Sequence, residues 1–79
     1  MQINIQYFGL IAEAVQKTTE VLVLPEACSV VDLQQQLLEV YPMLKGKEFK
    51  IAVNHQLESD ATLLSESDEI ALLPPFAGG

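Results

Sequence analysis

Two adjacent glycines, Gly78 and Gly79, close the chain and leave its terminal carboxylate with no Cβ on either flanking residue. Such a tip can thread a narrow channel and approach another molecule's backbone closely. Pro74 and Pro75 stand ahead of it, followed by Phe76 and Ala77, and two prolines hold the backbone toward an extended form. Residues 74–79 are therefore expected to project as a tail, with a reach at full stretch of about 20 Å. That is enough to deliver a carboxylate into a neighbour's active site. The plainer reading is a frayed end or residues left by cloning. The direct join of an apolar run, Ile70 to Leu73, to Pro-Pro-Phe favours a working tail.

Other groups with chemical potential are sparse. His55 is the only histidine and Cys28 the only thiol. A Cys–His nucleophile pair needs the two within hydrogen-bond reach, yet they fall on opposite sides of a predicted crossover. His55 reads as a solvated turn residue and Cys28 as a small apolar filler beside a helix start. Glu66, Asp68 and Glu69 gather three carboxylates, but their spacing matches no calcium loop and suits a solvated turn. Gly46 stands alone between Lys45 and Lys47, so there is no glycine-rich phosphate loop, and no metal site is expected. Two exposed apolar candidates remain, Phe8 and Phe76.

Eleven acids face four lysines and no arginine, a net charge of −7. That balance disfavours nucleic acid and anionic membranes, whose partners carry basic footprints. It suits a basic partner surface, and equally a simple need for solubility. A lone cysteine permits no internal disulfide, no run approaches the ~18 apolar residues of a membrane span, and Met1-Gln2 leads straight into alternating residues rather than a signal peptide. These features predict a reducing, cytoplasmic setting. With 79 residues, 49% of them apolar, the chain has the size and content of one small globular domain.

The elements that must position the tail follow from periodicity. Ile3, Ile5 and Tyr7 alternate with Gln2, Asn4 and Gln6, which predicts a half-buried strand broken by Gly9. Phe8 falls out of phase with that set, which leaves it either facing outward or on a second sheet face under a short helix. That helix is predicted over Leu10 to Gln16, and a second strand over Thr18 to Leu24, ended by Pro25. Ser29, with Asp32 three residues on, marks the start of the clearest helix as a variant capping box. Val30, Leu33, Leu37, Val40 and Tyr41 form its apolar stripe, and Pro42 stops it. Phe49 to Val53 reads as a third strand turning at Asn54-His55, and Glu69 to Leu73 as the last. The near-continuous apolarity of that last strand predicts a central place in the sheet, with the helix over one face. The tail would then leave from a rigid base. The class is α+β.

With these residues in order, the chain resembles the molybdopterin synthase small subunits, sulfur carriers of the ubiquitin-like β-grasp fold. The specific part of the likeness is Pro74-Pro75-Phe76-Ala77-Gly78-Gly79 after the strand Glu69 to Leu73. Ala52-Val53-Asn54 with Gln56, and the Asp68 turn, also stand where that family has them, and Ala12 departs from an arginine common among relatives. The resemblance implies a mixed sheet with one main helix on one face, in one domain over residues 1–79. It implies a non-catalytic carrier within a heterotetrameric complex, binding no cofactor or metal itself. Gly79 would be adenylated by a ubiquitin-activating-type adenylyltransferase that uses ATP. A sulfur donor system would then convert it to a thiocarboxylate, and the large subunit would pass that sulfur to cyclic pyranopterin monophosphate. Gly78 would fit both partners' channels, Phe76 would anchor at the channel mouth, and Pro74, Pro75 and Ala77 would complete the partner-binding tail, with Phe8 a further interface residue. Two rivals share the fold: a thiamine-pathway sulfur carrier serving thiazole synthesis, whose relatives are usually shorter and lack the double proline, and a ubiquitin-like modifier joined to lysines through its last glycine.

Overall fold

In the computed structural model, which describes residues 1–75, the alternating N-terminal segment is strand β1 (Gln2–Tyr7), its Ile3, Ile5 and Tyr7 buried and Gln2, Asn4 and Gln6 exposed. The chain turns at Gly9, whose φ of +56° lies in the left-handed region that favours glycine. It enters α1 (Gly9–Val15), which closes on Gln16 as a left-handed cap. Strand β2 (Thr19–Val23) returns beside β1.

Helix α2 (Val30–Val40) begins as its sequence predicts. The Ser29 hydroxyl accepts from the Asp32 amide at 3.3 Å, and the Asp32 carboxylate accepts from the Ser29 amide at 3.0 Å. This reciprocal pair satisfies two donors that a helix start otherwise leaves open. Val30, Leu33 and Leu37 are buried, whereas Val40 is exposed. The last core position goes instead to Tyr41, whose backbone has already left the helix. A short 3-10 turn, Pro42–Leu44, follows and buries Leu44.

The remaining strands are β3 (Lys50–Val53), β4 (Gln56–Leu57) and β5 (Glu69–Leu73). Asn54 and His55 both take positive φ, 50° and 72°, the geometry of a tight hairpin turn. Strand β4, two exposed residues long, is too short for periodicity to reveal and is absent from the sequence-based set.

The sheet order is β2-β1-β5-β3-β4. Pairing is antiparallel between β2 and β1, parallel between β1 and β5, and antiparallel from β5 to β3 and β3 to β4. The last strand is therefore central, as its apolarity predicts. Ile70 and Leu72 on one of its faces join Leu33 and Leu37 of α2, all at most 1% exposed, in a single hydrophobic cluster with Ile3 and Ile5. Leu24, Ile51, Leu44 and Leu64 complete its margins.

Candidate functional site

The site is the exit of β5 and what surrounds it. Leu72 and Leu73 lie between β1 and β3, opposite Tyr7 and Ile51 for Leu72 and opposite Lys50 for Leu73. The Phe8 amide donates to the Leu72 carbonyl at 3.2 Å, extending the ladder to the strand's last turn. Beyond it Pro74 is half-buried and Pro75 exposed. Pro74 packs on Gly9, where an added Cβ would sit 3.1 Å from the proline Cγ. The missing side chain at position 9 thus lets the first tail residue seat against the body. Phe76, Ala77, Gly78 and Gly79, the predicted anchor and the predicted acyl site, lie outside the described residues.

Phe8 resolves to the outward alternative. It is 42% exposed and lines a shallow concavity of about 290 Å³ on the sheet face opposite α2, together with Gln6, Ala52, His55, Ala71 and Leu73. That face has an apolar strip running to the root of the tail. His55 is solvated at its margin, with Nε2 3.5 Å from the Glu69 carboxylate. Cys28 is buried beside the start of α2, where desolvation, aided by the nearby Asp32 charge, pushes its thiol pKa up. A raised pKa depletes the thiolate and makes a poor nucleophile. The structure makes no Cys28–His55 hydrogen bond among the described residues.

The acidic turn is a brace at the other end of β5. Asp68 accepts from the Ser65 amide at 2.7 Å and from Asn54 Nδ2 at 3.1 Å, and Asn54 Oδ1 accepts from the Glu69 amide at 3.0 Å. Ser67, at φ 68°, donates its amide to the Gln2 carbonyl at 2.8 Å, and Glu66 accepts from the Gln2 amide at 3.0 Å. These carboxylates are spent on backbone amides of the turn and of β1.

One constellation joins residues that no local pattern of the sequence connects. The Tyr7 and Tyr41 hydroxyls both donate to Glu20 Oε1, at 2.6 and 2.7 Å, and the Lys17 ammonium lies 3.4 Å from Glu20 Oε2. The two rings meet edge to face at 6.1 Å. Burial foremost, then the Glu20 carboxylate, drives the Tyr7 pKa far up. For Glu20, burial alone acts upward, but hydrogen bonds from Tyr7 and Tyr41 and the Lys17 charge outweigh it and hold the carboxyl below its usual range. The cluster ties β1, β2 and the end of α2 together beneath the tail pole. A sequence signal existed: buried tyrosines need a partner for their hydroxyls, and Glu20 is the one acid in a strand of threonine, valine and leucine.

With the geometry established, comparisons with known proteins locate the chain. A family model described as the ThiS family matches residues 5–79. The molybdopterin synthase sulfur carrier subunit of Mycobacterium tuberculosis is 33% identical, over 100% of this chain and 99% of that protein. A solved structure from Pyrococcus furiosus, described as a putative molybdopterin converting factor subunit 1, overlays with a TM-score of 0.92 at 22% identity, covering 96% of this chain and 99% of that one. A chain in a Helicobacter pylori complex of subunits 1 and 2 of molybdopterin-converting factor overlays with a TM-score of 0.71 at 25% identity, over 100% of both chains. The fold is the ubiquitin-like β-grasp, an α+β fold with a mixed five-stranded sheet.

Proposed function

Because the chain belongs to the ThiS family, we propose that it is the sulfur-carrier subunit of a molybdopterin synthase. The observation that carries this reading is the 33% identity, end to end, with the sulfur carrier subunit of M. tuberculosis. The tail supports it in chemical terms. A terminal carboxylate ionises near pH 3.5, so at neutral pH it is a poor acyl donor and has to be activated. In the proposed sequence a Gly79 carboxylate oxygen attacks the α-phosphate of ATP in an adenylyltransferase and releases pyrophosphate. Sulfide-level sulfur from a donor system then attacks the acyl carbon, displaces AMP and leaves a thiocarboxylate. Within the large subunit that sulfur bonds to cyclic pyranopterin monophosphate, and water cleaves the acyl C–S bond and returns Gly79 to a carboxylate. The partners are thus the large subunit, the adenylyltransferase and the sulfur donor, in a heterotetrameric synthase in the cytoplasm.

The chain's own part is delivery. Pro74 and Pro75 lower the entropy lost when the tail is ordered in a channel. Phe76 is the proposed apolar anchor, and Gly78 lets the tip pass between close walls. Phe8, Ala71 and Leu73 offer an apolar contact surface beside the tail root. General bases and metal ions are left to the partners. The test is to weigh the intact protein purified from cells and then supply its thiocarboxylate form to a molybdopterin synthase large subunit. A gain of one sulfur for one oxygen at the C-terminus, followed by molybdopterin formation from cyclic pyranopterin monophosphate, is the expected result. Sulfur delivery only to thiazole synthesis would assign the chain to the thiamine pathway, and branched lysine conjugates would make it a modifier.

A further inference from the structure

Among the described residues, the edge of the sheet at β2 is uncovered. Strand β2 pairs with β1 on one side only. Its ladder partners alternate: Met1 and Leu24 exchange both hydrogen bonds, and the Tyr7 amide donates to the Thr18 carbonyl. With the register Ile3↔Leu22 and Ile5↔Glu20, the backbone groups of Thr18, Glu20, Leu22 and Leu24 point to β1. Those of Thr19, Val21 and Val23 point away, three N–H and three C=O groups in a row. The side chains of these three residues are exposed on the face opposite α2, Val21 at 57% and Val23 at 69%. Two adjacent exposed valines on an edge of β-branched residues carry none of the lysines, prolines or bulges that usually blunt such an edge. Pro25 comes only after the strand has ended.

We propose that β2 pairs with β2 of a second copy of this chain, antiparallel and centred on Val21, to form a continuous ten-stranded sheet. The edge is self-complementary in that one register. Val21 meets Val21 on the two-fold axis, Thr19 meets Val23, and all three outward donor–acceptor pairs of each copy are satisfied. On the α2 side Glu20 falls opposite Leu22 of the other copy. Sliding by one step in one direction sets Glu20 against Glu20, and sliding the other way sets Thr19 against Pro25, which has no N–H to give. In the favoured register Lys17 falls opposite Pro25, next to Glu26, so opposite charges meet at both ends of the seam. The Glu20 carboxylate is already held by Tyr7, Tyr41 and Lys17, which keeps it from projecting into the seam.

This pair is weak and reversible. One strand against another buries little beside the ~1,200 Å² of stable interfaces, and two copies at −7 each repel. Dimer therefore fills at high protein concentration and gains as salt screens the repulsion. Strand β5 lies two places away in the sheet, so the seam does not cover its exit at Leu73.

Sedimentation velocity on the full chain, from micromolar to millimolar concentration and at 0.1 and 0.5 M salt (about 10 and 4 Å of screening length), reads the association directly. The expected result is a monomer–dimer equilibrium shifted toward dimer by salt and at least tenfold weaker in Val21→Lys, with circular dichroism of that variant unchanged. A second readout fixes the register. Val21→Cys places two thiols on the axis at a Cα separation of about 5.5 Å, inside disulfide reach. The Val23→Cys pair stands about 14 Å apart, four residues along and one strand across. Mild oxidation should link the first several-fold faster than the second, with wild type, which carries only buried Cys28, as the blank. A monomer throughout the concentration range, a dimer indifferent to Val21→Lys, or equal linking at both cysteines would each overturn the proposal.

Discussion

At the Glu69 end of β5 hydrogen bonds converge from Asn54, Ser65 and the β1 backbone, whereas at the Leu73 end the chain runs into two prolines that donate none. The charges divide along the same axis. Glu66, Asp68 and Glu69 crowd the braced end. Lys50 stands opposite Leu73, and Lys17 precedes the Thr18 carbonyl that receives the Tyr7 amide. Beneath the tail pole the stiffness comes instead from a half-buried knot of Tyr7, Tyr41 and Glu20. The contrast separates two kinds of support: side-chain hydrogen bonds fix where the strand begins, whereas at its exit Pro74 is held by packing against Gly9 and by no hydrogen bond of its own amide.

Changes at the free end should therefore remove function and spare the fold, and the largest effect should come from its tip. Adding one residue after Gly79, or deleting Gly79, is expected to abolish sulfur transfer in an assay with purified partners while the melting temperature stays put, because the hydrophobic cluster of the described residues is built from side chains between Met1 and Leu72. Normal turnover from an extended chain would remove the acyl role from Gly79. Next in size, Phe76→Ala should weaken large-subunit binding about thirty-fold, or ~2 kcal/mol, by calorimetry. Unchanged affinity would shift the anchor to Phe8.

Changes at the supports should do the opposite. Glu20→Ala strands two tyrosine hydroxyls in a partly buried setting and is expected to cost about 1–3 kcal/mol of unfolding free energy, measured by urea titration. The same knot gives a pH signature. Tyr7 ionises in the unfolded chain near its ordinary value of 10 but far higher when folded, so the unfolded state binds fewer protons above that pH. Stability should then fall as pH rises past about 10, and Tyr7→Phe should flatten that alkaline slope. An unaltered slope would show that Tyr7 does not carry it. The smallest effect belongs to the exposed brace: Asn54→Ala should cost about 1 kcal/mol and leave sulfur transfer intact. A large loss of transfer there would erase the division between the two ends.

Much of this arrangement was readable before any coordinates because it is local. Ser29 and Asp32 cap a helix three residues apart, and Ile3, Ile5 and Tyr7 keep a period of two, whereas Phe8, out of phase with them, had two placements open until the fold set it outward. The central place of β5 followed from its run of apolar residues. What escaped was non-local or too brief to repeat. The Tyr7–Glu20–Tyr41 knot joins residues 13 and 21 positions apart in sequence. The contact of Gly9 with Pro74 depends on how the two ends of the chain are brought together. Strand β4 offers two residues, fewer than one full alternation can certify.

The position of β5 between a parallel and an antiparallel neighbour also has a mechanical meaning. A pull on the tail, as when a partner grips it or releases it, acts along the strand axis and across ladders on both sides. The bonds of both ladders then share the load together in shear, instead of opening one after another as a peeled edge strand would. A tail anchored on β2 or β4 would put the same tug on one ladder instead of two. Hung from the middle, a tail can be loaded and released repeatedly with the body behind it intact.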